Sequence, residues 1–432
     1  MSITISHSTQ IINGEIQLTS SKSESNRGLI IQALCNDNFE IQNLSISDDT
    51  KILRELLDEI SSKNETVRAD NDEDKTSLLD VDNYQQTLST GLAGTAMRFL
   101  TAFLAIKEGE VILTGEHRMK ERPIKELVNV LKQLGADIEY VGKEGFPPLK
   151  IIGKKLEGGE IIIDGSISSQ YISALLMIAP KLKKGLKIKF SGDVISKPYI
   201  NMTISMMDYF GASVRWEENN IKVDAVEYKA KTIFIEADWS AASYWYSMVA
   251  LAKEADITLY GLKQESLQGD AVVQEIYKNF GVETEFIKNG IRLTKNNNLV
   301  DSFEYDFTDC PDIAQTVAIT CAALNMPTKL TGLKTLRIKE TDRITALQSE
   351  LNNLGFDVDV EDDDIIINRL SREGGNLILE AQQPVKTYSD HRMAMAFAPL
   401  SLLNEIAIEA ENVVTKSYPN FWKDLESVGF FV

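Results

Sequence analysis

The sequence predicts an α/β protein of two domains that is built from six related units. Three observations support this prediction. The chain has 432 residues, which is too long for one ordinary hydrophobic core, so two domains are expected. A helix-end pattern that contains a glycine recurs at steps of 70 to 76 residues. Six apolar helices, each opened by small or polar residues, recur at about the same interval, as repeated units do.

In the helix-end pattern, apolar residues at helical spacing lead to a glycine and then to alternating apolar residues. Each instance predicts a helix that ends at a left-handed glycine and is followed by a half-buried strand. The instances are LKQLGADIEY (131–140), MDYFGASVRW (207–216), YKNFGVETEF (277–286), LNNLGFDVDV (351–360) and LESVGFFV (425–432). One step before the first instance, ILRELLDEISSKNETVR (52–68) predicts an amphipathic helix that runs into a strand without the glycine. The chain therefore divides into six units of about 72 residues, with its halving point near 236–243.

The helix starts form a second repeated feature, and short β-branched runs that end in glycine predict strands around them. The six starts are SKSESNRGLIIQAL (21–34), AGTAMRFLTAFLAI (93–106), SSQYISALLMIA (168–179), WSAASYWYSMVALA (239–252), CPDIAQTVAITCAA (310–323) and SDHRMAMAFAPL (389–400). The predicted strands are EVILTG (110–115), LKIIG (149–153), EIIIDG (160–165), LKIKFSG (186–192) and ITLYG (257–261). Helices that are apolar nearly all round, such as 174–179, are expected inside a ring of sheets.

Composition excludes several classes of function. With 64 acidic and 45 basic residues, the formal charge of −19 argues against nucleic acid or an anionic membrane as the main partner. There is no apolar run of about 18 residues and no secretory signal in MSITISHSTQIING. Cys35, Cys310 and Cys321 lack the spacing of a disulfide framework or a metal site, which indicates a reducing, cytoplasmic compartment and no metal cofactor. The segment 61–75 is the most loop-like and acidic part of the chain.

The helix starts predict an anion-binding site. A helix N-terminus leaves N–H groups unpaired and carries the positive end of the helix dipole, so several of them around one cleft attract anions. Taken singly, SKSE fits an ordinary capping box, and KERP (120–123) and KETDR (339–343) fit solvated charge. Their joint occurrence at matching positions of the units favours the functional interpretation. The side chains concerned are Lys22, Ser23, Arg27, Thr95, Arg98, Ser168, Ser169, Gln170, His391 and Arg392.

Eight motifs together resemble the 5-enolpyruvylshikimate-3-phosphate synthase family, from about residue 12 to 422. They are SKSESNR (21–27), GLAGTAMR (91–98), MKERPI (119–124), GSISSQY (165–171), ISKPYI (195–200), PDIA (311–314), RIKETDR (337–343) and YSDHRMAM (388–395). The resemblance implies a two-domain, inside-out α/β barrel of six βαβαββ units, with the active site in the interdomain cleft. It implies one domain at 21–236 and a second that combines 1–20 with 237–432.

The family transfers the enolpyruvyl group of phosphoenolpyruvate to the 5-hydroxyl of shikimate 3-phosphate and releases phosphate, without a cofactor. For shikimate 3-phosphate, the resemblance implies binding by Lys22, Ser23, Arg27, Ser168, Ser169, Gln170, Ser196, Tyr199, Asp312 and Lys339. For phosphoenolpyruvate, it implies binding by Lys22, Gly94, Arg122, Gln170, Arg343, Arg392 and Lys416.

The chemistry needs an acid that protonates C3 of phosphoenolpyruvate and a base that takes the proton of the attacking hydroxyl. The resemblance supplies Glu340 as the donor to C3 and Asp312 as the acceptor. Lys22 is expected to help phosphate leave, while the arginines and Lys416 stabilise charge in the tetrahedral intermediate. The cationic walls are expected to repel each other and to hold the cleft open until the anions bind.

Three positions depart from the family pattern. Leu92 stands where the family usually has Asn, and Phe99 stands where it often has Pro. Both residues are expected beside the phosphoenolpyruvate pocket, where glyphosate competes. Thr335 replaces an Asn expected to contact shikimate 3-phosphate. Activity is expected to survive because the charged positions are intact.

Two other functions are compatible with parts of the sequence. The first is enolpyruvyl transfer to UDP-N-acetylglucosamine, by a related enzyme that would carry KN rather than KS near residue 22. GEHRMKERPI (115–124) favours the shikimate enzyme over it. The second is a non-catalytic repeat scaffold, which would not need carboxylates among cleft arginines. The expected partners are two small molecules, with no nucleic acid and no membrane, and the expected state is a monomer.

Overall fold

A computed structural model describes residues 1–69, 86–371 and 383–432. Its strands, in chain order, are β1 (Ser2–Ile5), β2 (Ile11–Gln17), β3 (Ile41–Gln42), β4 (Gln86–Ser89), β5 (Gly109–Thr114), β6 (Asp137–Tyr140), β7 (Leu149–Gly153), β8 (Gly159–Asp164), β9 (Leu186–Ser191), β10 (Val214–Glu217), β11 (Asn220–Val223), β12 (Ile233–Phe234), β13 (Glu254–Tyr260), β14 (Phe280–Ile287), β15 (Gly290–Leu299), β16 (Phe303–Asp306), β17 (Thr328–Thr331), β18 (Val358–Glu361), β19 (Asp364–Ile367) and β20 (Ile406–Glu409). Its α-helices are α1 (Lys22–Leu34), α2 (Asp48–Ala69), α3 (Gly94–Ile106), α4 (Lys125–Gln133), α5 (Ser169–Ile178), α6 (Lys197–Tyr209), α7 (Trp239–Leu251), α8 (Val273–Lys278), α9 (Ala314–Ala323), α10 (Arg343–Asn353), α11 (His391–Phe397) and α12 (Phe421–Ser427). Short 3-10 helices lie at His117–Glu121, Ala179–Lys181, Gly269–Val272, Pro311–Ile313, Lys334–Ile338, Ala398–Leu402 and Glu411–Lys416.

The repeating unit is visible in the sheets. From β16 to β19 the chain runs βαβαββ, and the four strands pair in the order β16-β17-β19-β18. The first pair is parallel because α9 crosses between its strands, and the other two pairs are antiparallel. The sheets of β4 to β7 and of β8 to β11 repeat this order and these directions.

The fourth complete sheet is assembled from distant parts of the chain. Its first strand, β2, pairs in parallel with β13, so that Ile11 lies opposite Glu254. The rest of this unit, from α7 to β15, follows only after residue 237. β1 likewise pairs with β20, so the N-terminal strands belong to sheets whose other strands come from the second half of the chain.

Two hydrophobic clusters define two lobes. The cluster of lobe 1 contains buried residues from Leu29 to Tyr228, and that of lobe 2 contains buried residues from Ile5 to Leu18 and from Ala237 to Phe430. The central helices are buried on all sides, as their apolar sequences predict; Trp245 in α7 is an example at 0% exposure. The chain passes between the lobes twice, and the two crossings are hydrogen-bonded to each other, with Ser21 N donating to Glu236 O (2.8 Å).

The predicted helix ends are confirmed at four positions, where a left-handed glycine follows the last helical turn: Gly135, Gly211, Gly355 and Gly429. The interpretation was wrong at Gly281, which is left-handed (φ 74°) but lies inside β14 at a register shift. After Gly429 the predicted strand shortens to one bridge between Phe431 and Ser6.

The loop prediction for 61–75 was wrong over 61–69, because α2 continues to Ala69. Leu53, Leu57 and Ile60 anchor this helix in the core, and helical propagation carries it into the polar residues beyond them. The expectation that 52–68 runs from a helix into a strand was wrong as well, because α2 covers all of 52–68. Residues 70–75 of the loop-like segment lie outside the described residues. Among the described helices, none combines the length and apolar character that crossing a bilayer would need.

Candidate active site

The first residues of six helical segments meet at one cavity, which we call cavity A. It is lined by Lys22, Ser23, Asp49, Gly94, Thr95, Arg122, Gln170, Asp238, Ser240, Ala241, Tyr244, Asp312, Lys339, Glu340, Arg343, His391, Arg392 and Ser417. Each of the six helix starts found in the sequence contributes at least one of these residues. Backbone N–H groups and cationic side chains therefore surround the same space, which suits an anion.

A second cavity, cavity B, adjoins cavity A. It is lined by Ser23, Arg27, Thr95, Arg98, Arg122, Pro123, Ser166, Ser168, Ser169, Gln170, Tyr171, Ile195, Ser196, Tyr199, Pro311, Asp312, Thr335, Ile338 and Lys339. Six residues line both cavities, so the two form one continuous cleft between the lobes: Ser23, Thr95, Arg122, Gln170, Asp312 and Lys339. Cavity B is richer in hydroxyl groups than cavity A.

The predicted site residues sort between the two cavities. All the residues expected to hold shikimate 3-phosphate line cavity B, except Lys22, which lines cavity A. All the residues expected to hold phosphoenolpyruvate line cavity A, except Lys416. The Lys416 ammonium lies directly behind cavity A, 3.3 Å from Glu340 Oε1 and 2.7 Å from the carbonyl oxygen of Leu92, to which it donates.

Helix α1 illustrates how local structure serves the site. Ser21 caps the helix, its hydroxyl accepting from Glu24 N (3.3 Å) as a capping box requires. The Glu24 carboxylate does not complete the box, and instead accepts from Gln268 Nε2 (2.9 Å) in lobe 2 and from Glu236 N (3.3 Å) at the second crossing. The start of α1 is thus fixed against the second crossing of the chain, and Lys22 and Ser23 line the cleft.

Arg27 is buried at the base of cavity B. Its Nε donates to Thr203 Oγ1 (2.7 Å), and its Nη2 donates to Ser173 Oγ (3.2 Å). Burial lowers the pKa of Arg27 to about 10, so the guanidinium stays charged at neutral pH. Its described side-chain hydrogen bonds go to neutral oxygens, including the Tyr199 carbonyl (3.1 Å). This arrangement leaves its charge for an anionic ligand.

The two carboxylates predicted for proton transfer face each other across Arg343. Arg343 Nη1 lies 3.3 Å from Asp312 Oδ1, and its Nη2 lies 3.0 Å from Glu340 Oε2. Burial opposes ionisation of Asp312, but Arg392 (3.0 Å) and Lys339 (3.5 Å) outweigh it and hold its pKa well below the usual value. Burial also opposes ionisation of Glu340, whereas Lys416, Arg122 and Arg343 hold the pKa of Glu340 well below its usual value.

Acidic side chains lie between the cations of the cleft walls and reduce the repulsion expected there. That the cleft stays open until the anions bind remains a prediction. Asp49, which sequence reasoning missed, is 3.0 Å from Lys22 Nζ and 3.8 Å from Lys416 Nζ. Its signal in the sequence, the acidic start of α2, is the same as that of an ordinary helix cap. The lobes touch across the cleft, where Tyr199 Oη donates to Asp270 Oδ1 (3.1 Å).

The three departures from the family pattern lie in different places. Leu92 lines a groove beside cavity A, together with Arg118 and Tyr388. The expectation that Phe99 borders the phosphoenolpyruvate pocket was wrong: its ring is 1% exposed and lies 5.6 Å from the Arg27 guanidinium, under cavity B. Thr335 lines cavity B, and its buried hydroxyl makes no hydrogen bond within the described part of the chain.

His391 lines cavity A, 1% exposed, and neither ring nitrogen has a hydrogen-bond partner among the residues that the structure describes. Burial, then Lys22 and Arg392, hold its pKa well below the usual value, so the ring is neutral. Over the described residues, no group of three or more His, Cys, Asp or Glu side chains is arranged to hold a metal ion.

The six-unit fold and the cationic cleft with its two carboxylates are those of an enolpyruvyl transferase. The profile of the EPSP synthase (3-phosphoshikimate 1-carboxyvinyltransferase) family matches residues 7–425, so the chain belongs to this family. Its activity is accordingly enolpyruvyl transfer in aromatic amino acid biosynthesis.

Individual relatives agree with this assignment. A 3-phosphoshikimate 1-carboxyvinyltransferase of Bacteroides fragilis is 47% identical, with 97% of this chain and 96% of the relative covered. Enzymes of the same name from Mannheimia haemolytica and Haemophilus influenzae are each 37% identical, with 96% of this chain covered and 97% and 96% of the respective relative. An EPSP synthase structure from Acinetobacter baumannii has the same fold, with a TM-score of 0.74 at 21% identity over 99% of this chain and 98% of that one.

Proposed function

We propose that cavity B binds shikimate 3-phosphate, that cavity A binds phosphoenolpyruvate, and that Glu340 and Asp312 carry the protons of the transfer. The observation that carries this proposal is the convergence of all six helix starts on one cleft with these two carboxylates in it. Both substrates are anions with phosphate and carboxylate groups. Bidentate arginines and helix N-termini are the groups that bind such anions best.

The division between the cavities follows from their chemistry. Cavity B offers hydroxyls from Ser168, Ser169 and Ser196 around the buried Arg27, which suits a phosphate on a polyhydroxylated ring. Cavity A offers Lys22, Arg122, Arg343 and Arg392, which suits a compact, highly charged molecule. Because the cavities share Asp312 and Gln170, the two substrates would meet there.

Glu340 must carry a proton in order to protonate C3 of phosphoenolpyruvate. Three cations, Lys416, Arg122 and Arg343, keep its carboxylate ionised. A bound phosphate or carboxylate would engage these same cations, and the pKa of Glu340 would then rise. On this proposal, phosphoenolpyruvate itself converts Glu340 into an acid, and the elimination step returns a C3 proton to it.

Asp312 is available for the base role because its carboxylate is ionised and it lines both cavities. Bound substrate anions would engage its cationic neighbours and raise its pKa, which would make it a stronger proton acceptor. It would accept the proton of the 5-hydroxyl as that oxygen attacks C2. Arg343 and Arg392, which contact Asp312, would stabilise charge in the tetrahedral intermediate. Lys22 would neutralise the phosphate as it leaves.

The proposal also covers the organisation and setting of the protein. The two hydrophobic clusters support domains at 21–236 and at 1–20 plus 237–432. The free thiols of Cys35, Cys310 and Cys321 support a reducing compartment, which we take to be the cytoplasm. We further propose a monomer, and sedimentation equilibrium tests this state directly.

The deciding experiment is phosphate release with shikimate 3-phosphate and phosphoenolpyruvate, repeated with UDP-N-acetylglucosamine in place of the first substrate. Release with shikimate 3-phosphate alone is expected. Release only with the nucleotide sugar would assign the chain to the related transferase, and no release with either would refute the assignment of the cleft.

A further inference from the structure

Arg118 reaches from one lobe to the backbone of the other. It lies in the 3-10 helix His117–Glu121 of lobe 1, four residues before Arg122. Its Nε donates to the carbonyl oxygen of Glu340 (2.9 Å), and its Nη2 donates to the carbonyl oxygen of Lys339 (3.3 Å). Both acceptors belong to lobe 2, so a single guanidinium joins the lobes beside the proposed acid.

The segment that Arg118 holds has no regular secondary structure. Residues 339–342 connect the 3-10 helix Lys334–Ile338 to α10, outside any helix or sheet ladder. The Glu340 carboxylate contacts three cations, which attract it but do not fix its backbone. The two hydrogen bonds from Arg118 are accepted by consecutive carbonyl groups. They therefore fix the position and orientation of the backbone that carries Glu340.

Arg118 itself does not border the space for substrate. It lines neither cavity A nor cavity B, but the groove on the other side of Arg122 and Glu340. Its third nitrogen, Nη1, donates to Glu121 Oε2 (3.0 Å), which orients the guanidinium plane toward the carbonyls. An effect of this side chain on turnover must therefore pass through the segment that it holds.

We propose that Arg118 is a positioning residue that places the Glu340 carboxyl for proton transfer, and that it does so only when the two lobes are in contact. The inference rests on the proposed function, in which Glu340 protonates phosphoenolpyruvate. It adds that lobe 1 supplies the anchor for an acid carried by lobe 2, so that chemistry is coupled to the meeting of the lobes.

The test compares Arg118→Ala with Lys120→Ala, which removes an exposed cation from the same 3-10 helix. For Arg118→Ala, kcat is expected to fall about tenfold or more, since two charge-assisted hydrogen bonds are lost. KM for shikimate 3-phosphate and its directly measured Kd should change less than about twofold, because Arg118 is not part of cavity B. Lys120→Ala should match the wild type in both parameters.

Two further measurements separate positioning from a general structural role. Free guanidinium ion at millimolar concentration is expected to restore part of kcat to Arg118→Ala, and Arg118→Lys should retain an intermediate kcat. In a Glu340→Gln background, Arg118→Ala should lower the residual rate by no more than about twofold, because residues that act through one group are non-additive.

Three outcomes would overturn the inference: a wild-type kcat in Arg118→Ala, a loss confined to substrate affinity, or full additivity with Glu340→Gln. Thermal denaturation of each variant identifies unfolding, and in that case the Arg118→Lys and guanidinium results decide. If the wild-type enzyme itself releases no phosphate, the proposed function fails and the inference fails with it. If only the inference fails, the wild-type enzyme still releases phosphate.

Discussion

The guanidinium of Arg343 is bound edge-on by the carboxylate of Asp390, with Nε donating to Oδ2 (2.7 Å) and Nη2 donating to Oδ1 (3.3 Å). The two side chains are 2% and 0% exposed. This pairing fixes the plane of Arg343, so that its remaining edge faces Asp312 and Glu340. The sequence motif SDHRM contains Asp390, but only the fold shows that its partner comes from α10.

The first prediction concerns this pair. Asp390→Asn can still cap α11, because an amide oxygen can accept from Arg392 N as the carboxylate does (2.9 Å). It removes the most buried of the three carboxylates around Arg343, while Asp312 and Glu340 remain. We expect a loss of about 2 kcal/mol in the free energy of unfolding, since charge-assisted hydrogen bonds to a buried cation are lost. KM for phosphoenolpyruvate should rise as Arg343 loses its orientation. Urea denaturation and steady-state kinetics measure the two effects, and an unchanged value of both would contradict the role given to Asp390.

The second prediction separates proton transfer from binding. Glu340→Gln and Asp312→Ala are expected to lower kcat by about 100-fold or more, the scale of general acid–base catalysis, while substrates still bind. Rapid-quench kinetics with saturating substrates measures turnover, and calorimetry measures the Kd of shikimate 3-phosphate. A wild-type rate in either variant would remove that residue from the mechanism.

The third prediction is that phosphoenolpyruvate binding draws a proton from solution. Without the ligand, cations keep the pKa of Glu340 well below its usual value; anions bound to those cations raise it, so the carboxylate takes up a proton. Calorimetry in two buffers of different ionisation enthalpy measures this uptake. An Asp312→Ala enzyme saturated with shikimate 3-phosphate is suitable, because turnover is suppressed. Adding Glu340→Gln should abolish the difference between the buffers; if the difference persists, another group takes the proton.

The fourth prediction concerns the buried carboxyl of Glu24 between the two crossings of the chain. Burial, reinforced by the nearby Glu236, raises the pKa of Glu24 from 4.5 to about 7. Between these values the folded protein holds a proton that the unfolded chain releases, so stability falls as pH rises through this range. The fall amounts to up to about 3 kcal/mol.

Glu24→Gln carries no such proton and should lack this part of the pH dependence. Relative to the wild type, the variant is expected to gain stability from pH 5 to about pH 7, and the difference should level off above that pH. Unfolding free energies at four pH values give the slope, and parallel curves for the two proteins would argue against a neutral Glu24. Glu160→Gln is a matched control, because its carboxylate is on the surface and its pKa is lowered by Lys189 and Lys187.

The fifth prediction concerns Thr335, which lines cavity B and whose buried hydroxyl has no hydrogen-bond partner in residues 1–69, 86–371 and 383–432. If shikimate 3-phosphate supplies the partner, Thr335→Val should weaken its binding by about 1 kcal/mol, or roughly fivefold. The stability of the ligand-free protein should stay the same or rise slightly, because an unpaired polar group is removed. Equal Kd values for the two proteins would place the hydroxyl outside the binding site.

Much of the fold could be predicted because it rests on local rules. Gly135 and Gly355 follow their helices in the left-handed conformation that favours glycine, and the apolar sequences of α5 and α7 predict helices buried on every side. The end of α2 could not be predicted, since polar residues in its last turns are equally compatible with a loop.

The sequence predicted those site residues that lie at the repeated helix starts. Lys22, Gly94 and Gln170 belong to this group, as does Arg392, and cavity A contains all four. Asp49 and Arg118 were missed for a different reason. Each acts on a partner far away in the sequence, Lys416 or Glu340, and no spacing rule relates such pairs before the lobes are assembled. Phe99 was assigned to the wrong pocket because its contact with Arg27 joins two helices of lobe 1 that are far apart in the sequence.

The pairing of the N-terminal strands has a consequence for synthesis on the ribosome. Ile11 lies opposite Glu254 and Ser2 opposite Glu409, so β1 and β2 emerge first and wait longest for their neighbours. Lobe 1 lies in the sequence between β2 and its partner β13, so it can fold while β1 and β2 are still unpaired. Proteolysis of nascent chains arrested beyond residue 270 should cleave the first residues and spare lobe 1. Translation that stops before β20 therefore releases a product with an unpaired β-strand, the kind of sheet edge at which chains aggregate.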